Sequence, residues 1–173
     1  MRYLFIISFL FGFNVNGQSI NWISFEEAFK LQQTNPKNII VDVYTSWCGP
    51  CKLLDRNTFQ NKQVADFINK NFYAVKFNAE GNAVIKFDDK EFTNPNYKPE
   101  MANRRNGNHQ LTRYLGVSAY PTVVFIDDNS DIIYKLRGII PLLKLKFGLS
   151  YLKIKNTNQL KVKKILIIFK NLL

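Results

Sequence analysis

Two cysteines separated by one glycine and one proline constrain this chain more than any other feature. Cys48 and Cys51 are its whole complement of cysteine, and they stand in "VDVYTSWCGPCK" (41–52) between two contrasting patterns. Upstream, "NIIVDVYT" (38–45) is a near-continuous apolar run rich in β-branched residues, which predicts a buried strand. Downstream, "CGPCKLLDRNTF" starts a helix, and "NKQVADFINKNF" continues or restarts it with Val64, Phe67 and Ile68 on one face. Cys48 therefore falls where a helix begins, and Cys51 three residues on shares its face within disulfide reach. A zinc site asks for four ligands, and one distant histidine, His109, is all the chain adds. A purely structural staple across so short a loop would restrict the unfolded chain very little. A redox pair fits the chemistry best. Free backbone N–H groups and the positive end of a helix stabilise a thiolate at Cys48. Pro50 in the first turn costs little there. On this reading Cys48 is the exposed attacking thiol and Cys51 the buried resolving one.

The rest of the chain alternates helices and strands. Ser24 and Glu27 form a capping box opening a helix in "SFEEAFKLQQT", which Asn35-Pro36 ends. "FYAVKFNAE" (72–80) predicts a second strand, and "HQLTRYLGV" a short helix closed by Gly116. His109 reads as an ordinary helix-start residue with no further role. "PTVVFIDDNSDIIYKLRG" predicts a hairpin with strands at 122–126 and 131–136. Such an order implies an α/β fold, a mixed sheet with helices on both faces. Between the second strand and the short helix lies an excursion, residues 81–108. It holds a small hairpin about Asp88-Asp89-Lys90 and a loop-like stretch with two prolines and five asparagines. A surface decoration is the commoner use of such a loop; substrate or partner contact is the other.

Composition matters at the two ends. The formal net charge is +11, but residues 1–131 carry 14 Lys/Arg against 13 Asp/Glu, and residues from Ile132 onward carry 10 basic residues and no acid. The body is near neutral, so nucleic-acid binding is not expected. "MRYLFIISFLFGFNVNGQ" has the three-part form of a secretory leader, with Val15 and Gly17 small enough for a cleavage site before Gln18. Its apolar run is shorter than the roughly 20 residues needed to span a bilayer. Residues 1–17 are thus expected to be a signal peptide, residues 18–150 one domain, and residues 151–173 a basic, apolar tail. That tail suits an anionic membrane surface, though an extension without fixed order is the preferred reading. Export, to a periplasmic or extracellular site, places the cysteines where disulfides persist.

The "WCGPC" stretch, with β–α patterning around it, resembles the active site of the thioredoxin family. The similarity continues in order from about Trp22 to Gly138. Asp42 matches a buried aspartate that relays the resolving cysteine's proton, and Lys76 the lysine that pairs with it, although Lys76 also reads as a plain solvated strand residue. Pro121 matches a proline whose cis peptide faces the disulfide. Trp47, Gly49, Pro50 and Tyr120 are expected to shape the substrate groove with it. The resemblance implies a three-layer sandwich and a Cys48–Cys51 redox disulfide, with no cofactor and no metal. It implies an enzyme, a protein-disulfide oxidoreductase, whose partners are disulfide or thiol proteins and a redox protein that recharges the dithiol. A monomer is expected. The forty-four residues between Lys76 and Pro121 exceed the family's plain pattern, so residues 81–108 are an insertion. An isomerase or oxidant on the same scaffold, and a non-catalytic binding module using the insertion, remain the alternative readings.

Overall fold

The computed structural model describes residues 19–141 together with Leu145, Gly148 and Leu149. The expected leader and the 151–173 tail lie outside these residues. Among the described residues there are seven strands: β1 Trp22–Ile23, β2 Ile39–Tyr44, β3 Tyr73–Asn78, β4 Ile85–Phe87, β5 Lys90–Phe92, β6 Thr122–Ile126 and β7 Ile132–Arg137. The helices are α1 Phe25–Thr34, α2 Gly49–Leu54, α3 Lys62–Asn71 and α4 Gln110–Tyr114. Five strands form one sheet in the order β1-β3-β2-β6-β7. β3 runs parallel to both β1 and β2, while β6 is antiparallel to β2 and to β7. The parallel neighbours are joined through helices and the antiparallel pair β6–β7 by a short turn, as backbone geometry allows. β2 is the central strand, paired on both sides.

Strand alternation divides the core into two layers. Ile39, Val41 and Val43 of β2 face α1, α4 and the β4–β5 hairpin, packing with Phe25, Phe77, Leu111 and Phe87. Ile40 faces the other way, against Leu54, Val64 and Ile68 of α2 and α3 and against Phe125 of β6. Leu145 and Leu149 join that second layer, and Leu145 N–H donates to Pro141 C=O at 3.0 Å. Leu142 and Leu143 fall outside the described residues. The outcome is the mixed sheet with helices on both faces that the element order implies.

Local chemistry sets most of the boundaries. Ser24 Oγ caps α1 by accepting from Glu27 N–H at 3.1 Å. Asn61 Oδ1 caps α3, and Gly116 takes φ +61° just beyond α4. Asp88 and Asp89 both take positive φ, which closes the two-residue turn between β4 and β5. Two features go beyond the expected pattern. β1 is a two-residue strand at the sheet edge, too short to show a period. The helix after Cys51 widens into a π turn over Asp55–Phe59, with Gln60 N–H reaching Asp55 C=O at 3.0 Å.

The 81–108 insertion is not a bare loop. Its hairpin contributes Ile85, Phe87 and Phe92 to the α1 layer of the core. The remainder is held by asparagine side chains standing in for backbone partners. Asn94 Nδ2 donates to Gly81 C=O at 2.9 Å and to Gly107 C=O at 2.6 Å, tying the two ends of the insertion together. Asn106 exchanges hydrogen bonds with both backbone groups of Lys98. Gly107 has no room for a side chain, since a Cβ would lie 2.6 Å from Asn96 C=O. Asn94→Ala is therefore expected to cost about 1–3 kcal/mol in urea unfolding, and exposed Asn103→Ala less than about 0.5 kcal/mol. Equal effects would contradict this account of the insertion.

Candidate active site

β2 ends at Tyr44, and four residues later the chain enters α2. Cys48 is the N-cap of that helix, with Pro50 in its first turn. Cys48 and Cys51 form a disulfide with Cα atoms 5.3 Å apart. Cys51 N–H donates to Cys48 Sγ at 3.1 Å, so the sulfur occupies the site where a capping oxygen normally sits. The same N–H would stabilise a thiolate there once the disulfide is reduced. The Tyr120–Pro121 peptide is cis, and Pro121 is buried.

The expected contrast in exposure between the two cysteines is not what the structure has. Cys48 is 2% exposed and Cys51 6%. The disulfide turns Cys48 Sγ toward the first turn of α2, and neighbouring groups wall in the rest. Cys48 nevertheless lines an open groove of about 480 Å³ with Trp47, Gly49, Pro50, Ala119 and Tyr120. Trp47 is half-buried, its ring edge-on to Tyr120 with centroids 6.2 Å apart.

A second cleft, about 340 Å³, lies behind the disulfide and brings Asp42, Cys51, Asp55 and Lys76 together. Asp42 shares the face of β2 that carries Ile40, and it stands directly across the β2–β3 ladder from Lys76. Its carboxylate is buried, and Oδ1 has no hydrogen-bond partner. Lys76 is shared rather than given to Asp42 alone. Its Nζ lies 4.0 Å from Asp42 Oδ2 but 2.9 Å from Asp55 Oδ1. The expected Asp42–Lys76 pair is thus loose, because Asp55, four residues beyond Cys51 and so on the cleft side of its helix, offers a more exposed carboxylate. Lys76 Nζ also sits over the Tyr44 and Trp22 rings, at 5.5 and 5.3 Å. Burial is the main cause that pushes the Asp42 carboxyl up from 3.8 to about 7; Lys76 opposes the rise and Asp55 adds to it. At neutral pH Asp42 is poised to accept a proton or to give one up. Among the described residues no cluster of three or more His, Cys, Asp or Glu side chains is placed to hold a metal ion.

Glu80, Asn106 and Arg105 also belong to this face, and none of them stands out in the sequence. Glu80 Oε2 accepts from Trp47 Nε1 at 2.7 Å and from Asn106 N–H at 2.9 Å. The Arg105 guanidinium stacks over the Trp47 ring at 4.8 Å, and Ser46 Oγ donates to Ala102 C=O at 2.7 Å. The end of the insertion is thereby pinned to the loop that carries Cys48. Burial and the Glu80 charge push the Tyr120 phenol up to about 12, so it stays protonated. His109 caps α4: its Nδ1 accepts from Leu111 N–H at 3.1 Å, which leaves Nε2 to donate to Ala83 C=O at 2.7 Å. Burial lowers its pKa and favours this neutral form.

The position of Asp42 has a consequence for stability. Between pH 4 and 7 the folded chain holds a proton on Asp42 that the unfolded chain has released, so stability from this group falls as pH rises through 7. The rise from 3.8 to about 7 corresponds to on the order of 4 kcal/mol. Asp42→Asn removes the charge but keeps the shape. In urea unfolding of the oxidised protein, the variant's stability relative to wild type should increase by up to that amount between pH 4 and pH 8. A difference independent of pH would contradict the burial argument.

Comparison with known proteins gives consistent findings. A sequence model of the thioredoxin-like domain matches residues 25–153. An uncharacterised protein from Caenorhabditis elegans is 34% identical over 62 residues, covering 35% of this chain and 8% of that protein. One from Archaeoglobus fulgidus is 34% identical over 58 residues, 34% of this chain and 46% of that protein. The chain thus spans less than half the length of the curated relatives it matches. Among solved structures, a putative disulphide-isomerase from Bacteroides thetaiotaomicron is 30% identical with a TM-score of 0.51, covering 76% of this chain and 94% of that one. A thioredoxin from Thermus thermophilus aligns at 18% identity and a TM-score of 0.58, covering 80% and 91%. The DsbH oxidoreductase aligns at 21% identity and a TM-score of 0.54, covering 78% and 85%. Because the family match extends over well more than half of its length, the chain belongs to the thioredoxin-like domain family.

Proposed function

We propose that the protein is an exported thiol–disulfide oxidoreductase that reduces or exchanges disulfides in other proteins. One observation carries this reading: a dithiol pair at the head of a helix, with a groove in front of Cys48 and a proton acceptor in the cleft behind Cys51.

In the reduced enzyme the Cys48 thiolate attacks one sulfur of a substrate disulfide. That bond breaks, one substrate thiolate leaves and takes up a proton, and the other sulfur is held as a mixed disulfide with Cys48. Asp42 accepts the Cys51 proton. The Cys51 thiolate then attacks Cys48 Sγ, forming the Cys48–Cys51 disulfide and releasing the second substrate thiolate, to which the proton on Asp42 can return. The substrate gains two electrons and the enzyme loses two, so a reduced dithiol partner must recharge the pair. Lys76 and Asp55 hold opposite charges at the solvent side of the cleft and set the field that Asp42 feels. Trp47, Gly49, Pro50, Tyr120 and Pro121 line or flank the groove in which the substrate chain lies.

Export rests on the leader-like residues 1–17, with a periplasmic or extracellular destination and a mature chain of one domain over residues 18–150. Mass spectrometry of the secreted protein is expected to find an N-terminus at Gln18; retention of residues 1–17 would contradict export.

The isomerase or oxidant reading has a specific observation behind it, the 30% identical putative disulphide-isomerase. Equilibration with glutathione separates the two. A potential of about −270 mV marks a reductant, and about −180 mV an isomerase.

In an insulin turbidity assay, Cys48→Ser is expected to reduce activity to background. Cys51→Ser is expected to accumulate a mixed disulfide, visible on a non-reducing gel. Full activity of Cys48→Ser would end the oxidoreductase reading.

A further inference from the structure

We propose that Arg105 makes the groove in front of Cys48 selective for polypeptide segments that carry a carboxylate beside the reacting sulfur. This rests on the oxidoreductase reading, which supplies the reacting sulfur, and adds a substrate class to it. Arg105 comes from the insertion, yet it lines the same groove as Cys48. The groove lining holds two charged residues, Glu80 and Arg105. Glu80 is 8% exposed, and its Oε2 is already occupied by Trp47 and Asn106. Arg105 is exposed, and among the described residues no carboxylate pairs with it. The accessible charge of the groove is therefore positive.

The way Arg105 is held bears on what it can bind. Its guanidinium lies over the Trp47 ring, Cζ 4.8 Å from the centroid, and among the described residues no acceptor engages its N–H edge. That edge matches a carboxylate in a two-point hydrogen-bonded pair, which an ammonium group cannot copy. The stacking also narrows the rotamer freedom that a surface arginine would otherwise lose on binding. Trp47 is itself fixed through Glu80, and Ser46 ties the same loop to Ala102. Arg105 is thus presented beside the disulfide by a braced wall. A substrate chain joined to Cys48 passes along this wall, with an acidic side chain next to its cysteine favoured and a basic one repelled.

Binding is read without redox turnover. Fluorescein-labelled peptides with serine in place of cysteine, flanked by Glu, Gln or Lys, are titrated against the oxidised full chain and followed by anisotropy. The expected order of affinity is Glu, Gln, Lys, with roughly fivefold between the extremes at low salt. The spread should collapse in high salt and in Arg105→Gln, shrink in Arg105→Lys, which keeps the charge but loses the two-point pair, and reverse in Arg105→Glu. No measurable binding of the Glu peptide, no spread in the wild type, or an unchanged order in Arg105→Glu overturns the proposal. The basic residues from Ile132 onward favour acidic peptides in every form of the chain, so the part of the spread lost in Arg105→Gln is what belongs to Arg105. Turnover of the matching disulfide peptides is scored separately: failure to reduce any of them contradicts the oxidoreductase reading, while the affinity order still decides the role of Arg105.

Discussion

A carboxylate placed on the central strand, with one oxygen left unpartnered, is the constraint around which this site is organised. Burying such a group is costly unless it is neutral or compensated. Here compensation is partial: Lys76 leans toward Asp55 and leaves Asp42 near its midpoint at neutral pH. The strand can hold that position because β3 and β6 pair with it on both sides. Strand alternation then dictates where the carboxylate points, into the helix layer that contains Cys51. A strained or costly group held by an over-determined scaffold is a common mark of a functional site.

The site has two contributors with different physical origins. The junction of β2 and α2 holds the dithiol pair, since it fixes both cysteines and the Asp42 carboxyl behind them. The insertion supplies a wall of the groove. It reaches that wall with little apolar burial beyond its hairpin, using asparagine side chains as substitutes for a missing backbone ladder. Such an arrangement lets the rim differ in shape without any change at the dithiol junction.

Much of the fold could be read from local pattern. The Ser24 cap, the buried β2 run, the aspartate turn of the small hairpin and Gly116 after α4 each depend on a few neighbouring residues. The family resemblance added the roles expected of Asp42 and Pro121, which no periodicity shows. What escaped reading depends on distant partners. Nothing near Glu80 in the chain points to Trp47, and nothing near Lys76 tells that Asp55 stands closer than Asp42. The burial of Cys48 follows from the disulfide and from walls built by remote segments. β1, at two residues, is too short to carry a periodic signal. The sequence also could not show that the π turn would follow α2.

The central claim is that Cys48 is the reactive sulfur and that Asp42 serves Cys51 behind it. Its most direct test is the pH dependence of alkylation of the reduced protein, with each modified cysteine identified by mass spectrometry. The account predicts that Cys48 reacts first, with an apparent pKa below the roughly 8.5 of a free thiol. It also predicts a second inflection that disappears in Asp42→Asn. Faster alkylation of Cys51, or two cysteines that titrate like free thiols and ignore Asp42, would contradict it.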